Sequence, residues 1–253
     1  MAEDAILTPY VLSSVESQHP SEVKTVAGRP RSPRAQALSR DAIVRAAVEL
    51  ADQEGLTAVS MRAVAKRLDV EAMSLYNHVR NKDDMLDGMV DLVFGEFHSP
   101  VIGADWRDEM RERCRSGRQA MTRHPWAIGL MDSRRNSGFA TLMHHDAVIG
   151  CLREAGFSLA LTGHAFAVLD AYLYGFVVQE QSLAYTGEED LAELAGQMLE
   201  QLPEGQLTHF KEFTIGHALQ PGYDFGNEFD MGLELILEGL ARRLADHHQH
   251  VHD

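Results

Sequence analysis

The chemistry most clearly laid out in this chain lies between Ser60 and Leu86, SMRAVAKRLDVEAMSLYNHVRNKDDML. Ser60 caps a short helix in which Ala63, Val64 and Leu68 recur at helical spacing. Asp69 stands where the chain must turn sharply, and Asp is one of the few residues besides Gly that tolerates a left-handed backbone. Val70 anchors that turn. A second helix from Ala72 to Val79 turns Leu75 and Val79 inward at i, i+4 and leaves Ala72, Met73, Ser74, Tyr76 and His78 outside. A mostly small and polar outer face on the second helix of such a pair suits the major groove of DNA.

Other reactive groups are less well organised. His144, His145 and Asp146 are consecutive, but neighbours on a helix point about 100° apart and do not easily face one ion. His145 shares a helical face with Leu142, Ile149 and Leu152, so it is expected to turn inward as a satisfied core histidine. The terminal HHQHVHD, residues 247–253, reads as a solvated His-rich tail. No nucleophile, base and orienting group converge, and no Gly-rich phosphate loop is evident, so an enzyme is not expected. Trp126, Met131, Phe139, His145, Phe166, Asp170 and Tyr174 are candidates to line a small-molecule pocket, although core packing is the more ordinary account of each.

The elements that must position these groups all read as helices. Ser39 caps a bracing helix carrying Ile43, Ala46, Ala47, Leu50 and Ala51, with Gly55 as its C-cap. Asn81 caps a lever helix, with Asp83 and Asp84 against the positive end of its dipole and Met85 to Phe97 carrying it towards Ser99-Pro100. Helices follow over Trp106–Arg123, about 138–155, about 159–183 and 225–245, with an acidic, Gly-punctuated excursion between 186 and 224 and one amphipathic helix from Glu188 to Leu202. The helix at 159–183 is apolar on nearly every side and must be covered; a partner subunit can do this by pairing it and the final helix with their symmetry mates in a four-helix bundle. Residues 1–37 lack a sustained period and are expected to form a mobile arm, whose GRPRSPR end carries Arg29, Arg31 and Arg34 either as an extended segment that enters a minor groove or as a solvated Arg-rich linker.

Charge distribution supports a nucleic-acid reading that the overall balance obscures. The chain of 253 residues has a net charge of −15, yet residues 29–82 hold ten Arg and Lys against six Asp and Glu, a net of +4, so the remainder carries −19. A basic module on an acidic body leaves one edge to face DNA. No apolar run approaches the roughly 18 to 20 residues of a membrane span, and the first twenty residues lack a secretory pattern, so no membrane partner and a cytoplasmic location are expected. Cys114 and Cys151 are too few for a disulfide framework.

The pattern from Ser60 through LYNHVRNKDDML resembles the DNA-binding domain of the tetracycline repressor (TetR) family, and GLELILEGLARRL near the end resembles that repressor's last helix. The resemblance covers residues 39 to 245 and implies an all-α fold: a three-helix helix-turn-helix domain over 38–98 and an effector-binding and dimerisation domain over 99–246. It places DNA contacts on Arg62, Ala72, Met73, Ser74, Tyr76, His78 and Lys82. Their chemistry agrees, since Arg62 can approach guanine, Tyr76, His78 and Lys82 can meet phosphates, and Ala72 or Met73 can meet a thymine methyl. Ala72 and Met73 stand where the tetracycline repressor has a Gln and a Pro, so the operator should differ.

For the effector, the resemblance places His98 at a drug-contacting His, Gln179 at the drug-helix Glu and Arg113 where an amide contacts the drug. A magnesium site loses its His and its carboxylate and gains a guanidinium, so no metal and no cofactor are expected. The expected effector has an acidic or carbonyl group facing Arg113 or His98. The implied protein is a homodimeric repressor on double-stranded DNA at a palindromic operator, released by a small-molecule effector; the alternative is a ligand-independent DNA-binding dimer.

Overall fold

A computed structural model describes residues 38–133, 138–203 and 205–252. The arm at 1–37, with its three arginines, lies outside the described residues. Those described form eleven α-helices and no strand: α1 Arg40–Glu54, α2 Met61–Arg67, α3 Ala72–Leu75, α4 Lys82–Phe94, α5 Trp106–Arg123, α6 Ala127–Ser133, α7 Phe139–Glu154, α8 Leu159–Gln181, α9 Glu188–Glu200, α10 Thr208–Phe213 and α11 Glu228–His252.

The expected caps are present. Ser39 Oγ accepts from the Ala42 N–H at 3.2 Å, and Gly55 closes α1 at φ 82°. Ser60 Oγ accepts from Ala63 N at 3.2 Å, and Asn81 Oδ1 from Asp84 N at 2.8 Å. Each satisfies a backbone donor that the first helical turn leaves without an intrahelical partner. Ser158 caps α8 in the same way.

The chain folds into two compact units that do not follow its linear order. The first combines the described residues through Glu96 with Arg123–His145; the second combines Phe97–Thr122 with the residues from Asp146 onward. In the first unit, α1 packs on α2 and α4, and α4 on α6. Ile43, Ala47, Val64, Leu75, Met85 and Met89 are fully or almost fully buried there. A Cβ at Gly88 would press on Val44, so α4 crosses α1 at a position only glycine allows without a shift. Asp91 of α4 accepts from both the backbone N–H and the hydroxyl of Thr141, at 2.8 and 3.0 Å, which pins the start of α7.

In the second unit α8 packs on α11 and is tied to α5 by paired charges. It is 23 residues long and, by length and composition alone, apolar enough to cross a membrane, which corrects the expectation that no such run exists. Its length was visible in the sequence, but Asp170 and Glu180 along it are paired with Arg113 and Arg118 of α5. Thr162, Ala165, Leu169, Leu173, Phe176 and Val177 form its buried side, while Gly163, Ala167, Ala171 and Gly175 form an exposed one.

Several boundaries differ from expectation. Helix α4 ends at Phe94, capped by Gly95, so His98 lies beyond the lever helix and not on it. The excursion at 186–224 contains α10 followed by a π-helical stretch, Thr214–Ala218, for which no sequence period provided a signal. Helix α11 runs on through His252, past the end expected at 245. On α7 the buried side is Thr141, His144, Val148, Cys151 and Leu152, whereas Leu142 and Ile149 are exposed. The inward histidine is therefore His144, and His145 is half-buried with its ring edge-on to Phe94 at 5.8 Å.

Candidate DNA interface and effector site

The helix-turn-helix is built from α2 and α3. Leu68 closes α2, Asp69 adopts the left-handed conformation at φ 54°, and Val70 N donates to Ala65 O at 3.0 Å, so the chain reverses within three residues. The second helix is shorter than expected: regular α geometry covers Ala72–Leu75, and Asn77 and His78 continue with three-residue bonds to Ser74 and Leu75. Leu75 and Val79 remain inward, at 0 and 1% exposure, while Met73 is 74% and Tyr76 46% exposed. Arg62, His78 and Lys82 are exposed and Ala72 and Ser74 half-buried. Met73 and Tyr76 thus stand on the outer side of the second helix, where they are free to meet another surface.

A polar chain braces this unit from behind. Arg67 of α2 donates through Nε and Nη2 to Glu49 and through Nη1 to Gln53, at 3.0 to 3.2 Å, fixing α2 to the last turns of α1. One residue from Gln53, Asp52 Oδ1 accepts from Trp126 Nε1 at 2.7 Å and faces His124 Nδ1 at 2.8 Å. Trp126, a pocket candidate, is thus committed to α1. The His124, Asp52 and Glu96 grouping was not singled out in the sequence, where His124-Pro125 signalled only a helix end.

In the second unit three candidates come together. Arg113, with 0% exposure, lies on α5 and its Nη2 donates to Asp170 Oδ1 of α8 at 2.6 Å, with the Phe166 ring 5.6 Å from the guanidinium carbon. Phe166, Asp170 and Tyr174 are spaced i, i+4, i+8 and so share one side of α8. Burial works against the Arg113 charge, but the Asp170 carboxylate outweighs it and holds the guanidinium protonated more firmly than usual. Burial also pushes the neighbouring Cys114 thiol up to about 11. The cluster combines a fully buried cation, a part-exposed carboxylate and an aromatic face.

The remaining candidates fall elsewhere. His98 Nε2 is 2.7 Å from Glu109 Oε2, which also accepts from Val101 N at 2.8 Å, and the His98 backbone N–H donates to Ser116 Oγ. The Val101 N–H, then His98, hold the Glu109 carboxyl below the ordinary range. Gln179 is exposed near the end of α8, and Phe139, on α7 of the first unit, is 77% exposed.

Comparison with known proteins agrees with this architecture. Residues 43–89 match the family described as bacterial regulatory proteins, tetR family, and residues 99–244 match the tetracyclin repressor-like C-terminal domain. An HTH-type transcriptional regulator of Saccharopolyspora erythraea is 35% identical over 205 residues, covering 81% of this chain and 85% of that protein. The HTH-type transcriptional repressor DrrR1 of Streptomyces coeruleorubidus is 32% identical, covering 82% and 79%. The crystal structure of the TetR family protein ActR from Streptomyces coelicolor in complex with actinorhodin superposes with a TM-score of 0.69 at 28% identity, covering 81% of this chain and 96% of that one. The chain belongs to the tetR family of bacterial regulatory proteins and is a helix-turn-helix transcriptional regulator.

Proposed function

We propose that this protein is a cytoplasmic, homodimeric repressor that a small-molecule effector releases from a palindromic operator. The observation that carries the reading is the second helix of the helix-turn-helix, which buries Leu75 while projecting Met73 and Tyr76 into solvent. Residues 38–98 read DNA, with Arg62, Ala72, Met73, Ser74, Tyr76, His78 and Lys82 at the surface, and 99–246 hold the effector and the dimer contacts. Dimerisation is supported by the exposed small-residue side of α8 and by exposed Met231 and Leu235 on α11, apolar surface that a second copy can cover.

The effector takes Arg113 as its anchor, with Asp170, Phe166 and Tyr174 around it, and bears a carboxylate or carbonyl oxygen on an aromatic body. The repressor name of DrrR1 and the small-molecule complex of ActR favour this reading over a dimer without ligand. Binding that favours the non-operator state by about 1 to 3 kcal/mol changes occupancy roughly 5- to 150-fold.

The test is fluorescence anisotropy of a labelled operator, obtained by selection from random duplexes, titrated with carboxylate- and carbonyl-bearing aromatic compounds. Release by one such compound, with Phe166→Ala shifting its potency and leaving operator affinity unchanged, is the expected result. A flat response across the panel favours the ligand-independent regulator.

A further inference from the structure

The chain leaves the DNA-binding unit after Glu96 and returns to it at Arg123. The residues at these two crossings face one another as charge partners: Arg123 Nη2 lies 2.7 Å from Glu96 Oε2, and His124 Nε2 lies 3.2 Å from Glu96 Oε1. His124 is 8% exposed, and its other ring nitrogen, Nδ1, faces Asp52 Oδ1 at 2.8 Å. Both nitrogens of a nearly buried imidazole therefore point at carboxylate oxygens. A neutral ring has one N–H and one bare lone pair, so it can satisfy only one of these partners and sets its lone pair against the other. The imidazolium satisfies both.

We propose that His124 is a positioning residue for operator binding: a proton-bearing clasp that fastens the exit of α4 at Glu96 to the end of α1 at Asp52. From Asp52 the brace continues along α1 through Glu49 and Gln53 to Arg67 of α2, so the clasp bears directly on the helix-turn-helix. The charged and polar groups facing the ring are Asp52 on α1, Glu96 beyond α4, Arg123 at the end of α5, which shares Glu96, and the Trp126 indole N–H, which shares Asp52. Arg123 neutralises one carboxylate in part, and the ring proton supplies the second positive charge between two acids.

With the proton bound, α1 and α4 are held in one arrangement and the recognition helix meets DNA with less ordering left to do. When the proton leaves, one of the two bonds breaks, a carboxylate confronts a lone pair, and the unit loosens. Loss of the His124 ring proton therefore weakens the operator complex. His78 is exposed on the same unit, so it is replaced in both proteins and the comparison reports His124 alone.

The test uses the full-length protein and a labelled operator from in vitro selection. Affinity is measured from pH 6 to 8 for His78→Gln and for His78→Gln combined with His124→Gln. The expected result is a fall of about tenfold in the first protein and less than about twofold in the second. Equal slopes in the two proteins, or a rise with pH, overturn the proposal. The inference rests on the DNA-binding reading, and failure to select any sequence would count against that reading separately. In that case, or if His124→Gln does not fold, nitrogen NMR of the wild-type histidines from pH 6 to 8 decides: hydrogens on both ring nitrogens of His124 at a pH where exposed His78 has lost one support the clasp, and a bare His124 nitrogen there overturns it.

Discussion

Replacing Asp170 by Ala removes the carboxylate 2.6 Å from a guanidinium with no solvent exposure. Arg113 cannot shed its proton to escape, because arginine stays charged even when buried. Breaking a buried pair from one side costs about 3–5 kcal/mol, and the Asp170 side chain keeps 18% of its exposure, which puts the expected loss near the lower figure, about 3 kcal/mol. At about 2–4 °C per kcal/mol for a chain of this size, the melting temperature should drop by roughly 6–12 °C. Urea and thermal unfolding followed by circular dichroism measure both quantities. The double variant Arg113→Met with Asp170→Leu should return to within about 1 kcal/mol of the parent, since apolar replacement of both partners removes the buried charge together with its counter-charge. A single variant within about 0.5 kcal/mol of the parent would refute the reasoning, because it would mean that water or another group already serves the Arg113 charge.

Ser60→Ala should cost about 1 kcal/mol by leaving the Ala63 N–H at the start of α2 without its acceptor, read from the urea midpoint. Lys82→Ala should weaken operator binding evenly across sequences and lower the slope of log affinity against log salt by about 1 for each phosphate that the lysine neutralises, whereas Met73→Ala should relax preference at one base position. The Glu109 carboxyl is held low in the folded state, so its bonds to Val101 and His98 add stability above the ordinary carboxylate range. That contribution disappears as pH falls through the folded-state titration, and Glu109→Gln should flatten the acid limb of stability between about pH 3 and 5.

The helix-turn-helix was legible because its determinants are local. Ser60, Asp69 and Asn81 act on backbone groups within three residues, and Leu75 and Val79 declare an inward side by spacing alone. The candidate effector cluster was half legible: Phe166, Asp170 and Tyr174 follow helical spacing on α8, but nothing in the sequence joins Asp170 to Arg113, 57 residues away. His98 was misplaced because Met85 to Phe97 continue an apolar helical pattern past Gly95, where the helix stops. On α7 the pattern is apolar on several sides, so His144 and His145 compete for the inner face, and packing against α4 selected His144. The His124 clasp had no signal, since its partners come from α1 and from the residues after α4, 72 and 28 positions away.

The most direct measurement of the central claim is selection of bound duplexes from a random DNA pool by the full-length protein, followed by footprinting of the enriched sequence. A twofold dimer presenting two recognition helices predicts an inverted repeat with half-site centres about 10 base pairs, or roughly 34–36 Å, apart. Enrichment of a lone half-site, or of no sequence at all, would contradict the account.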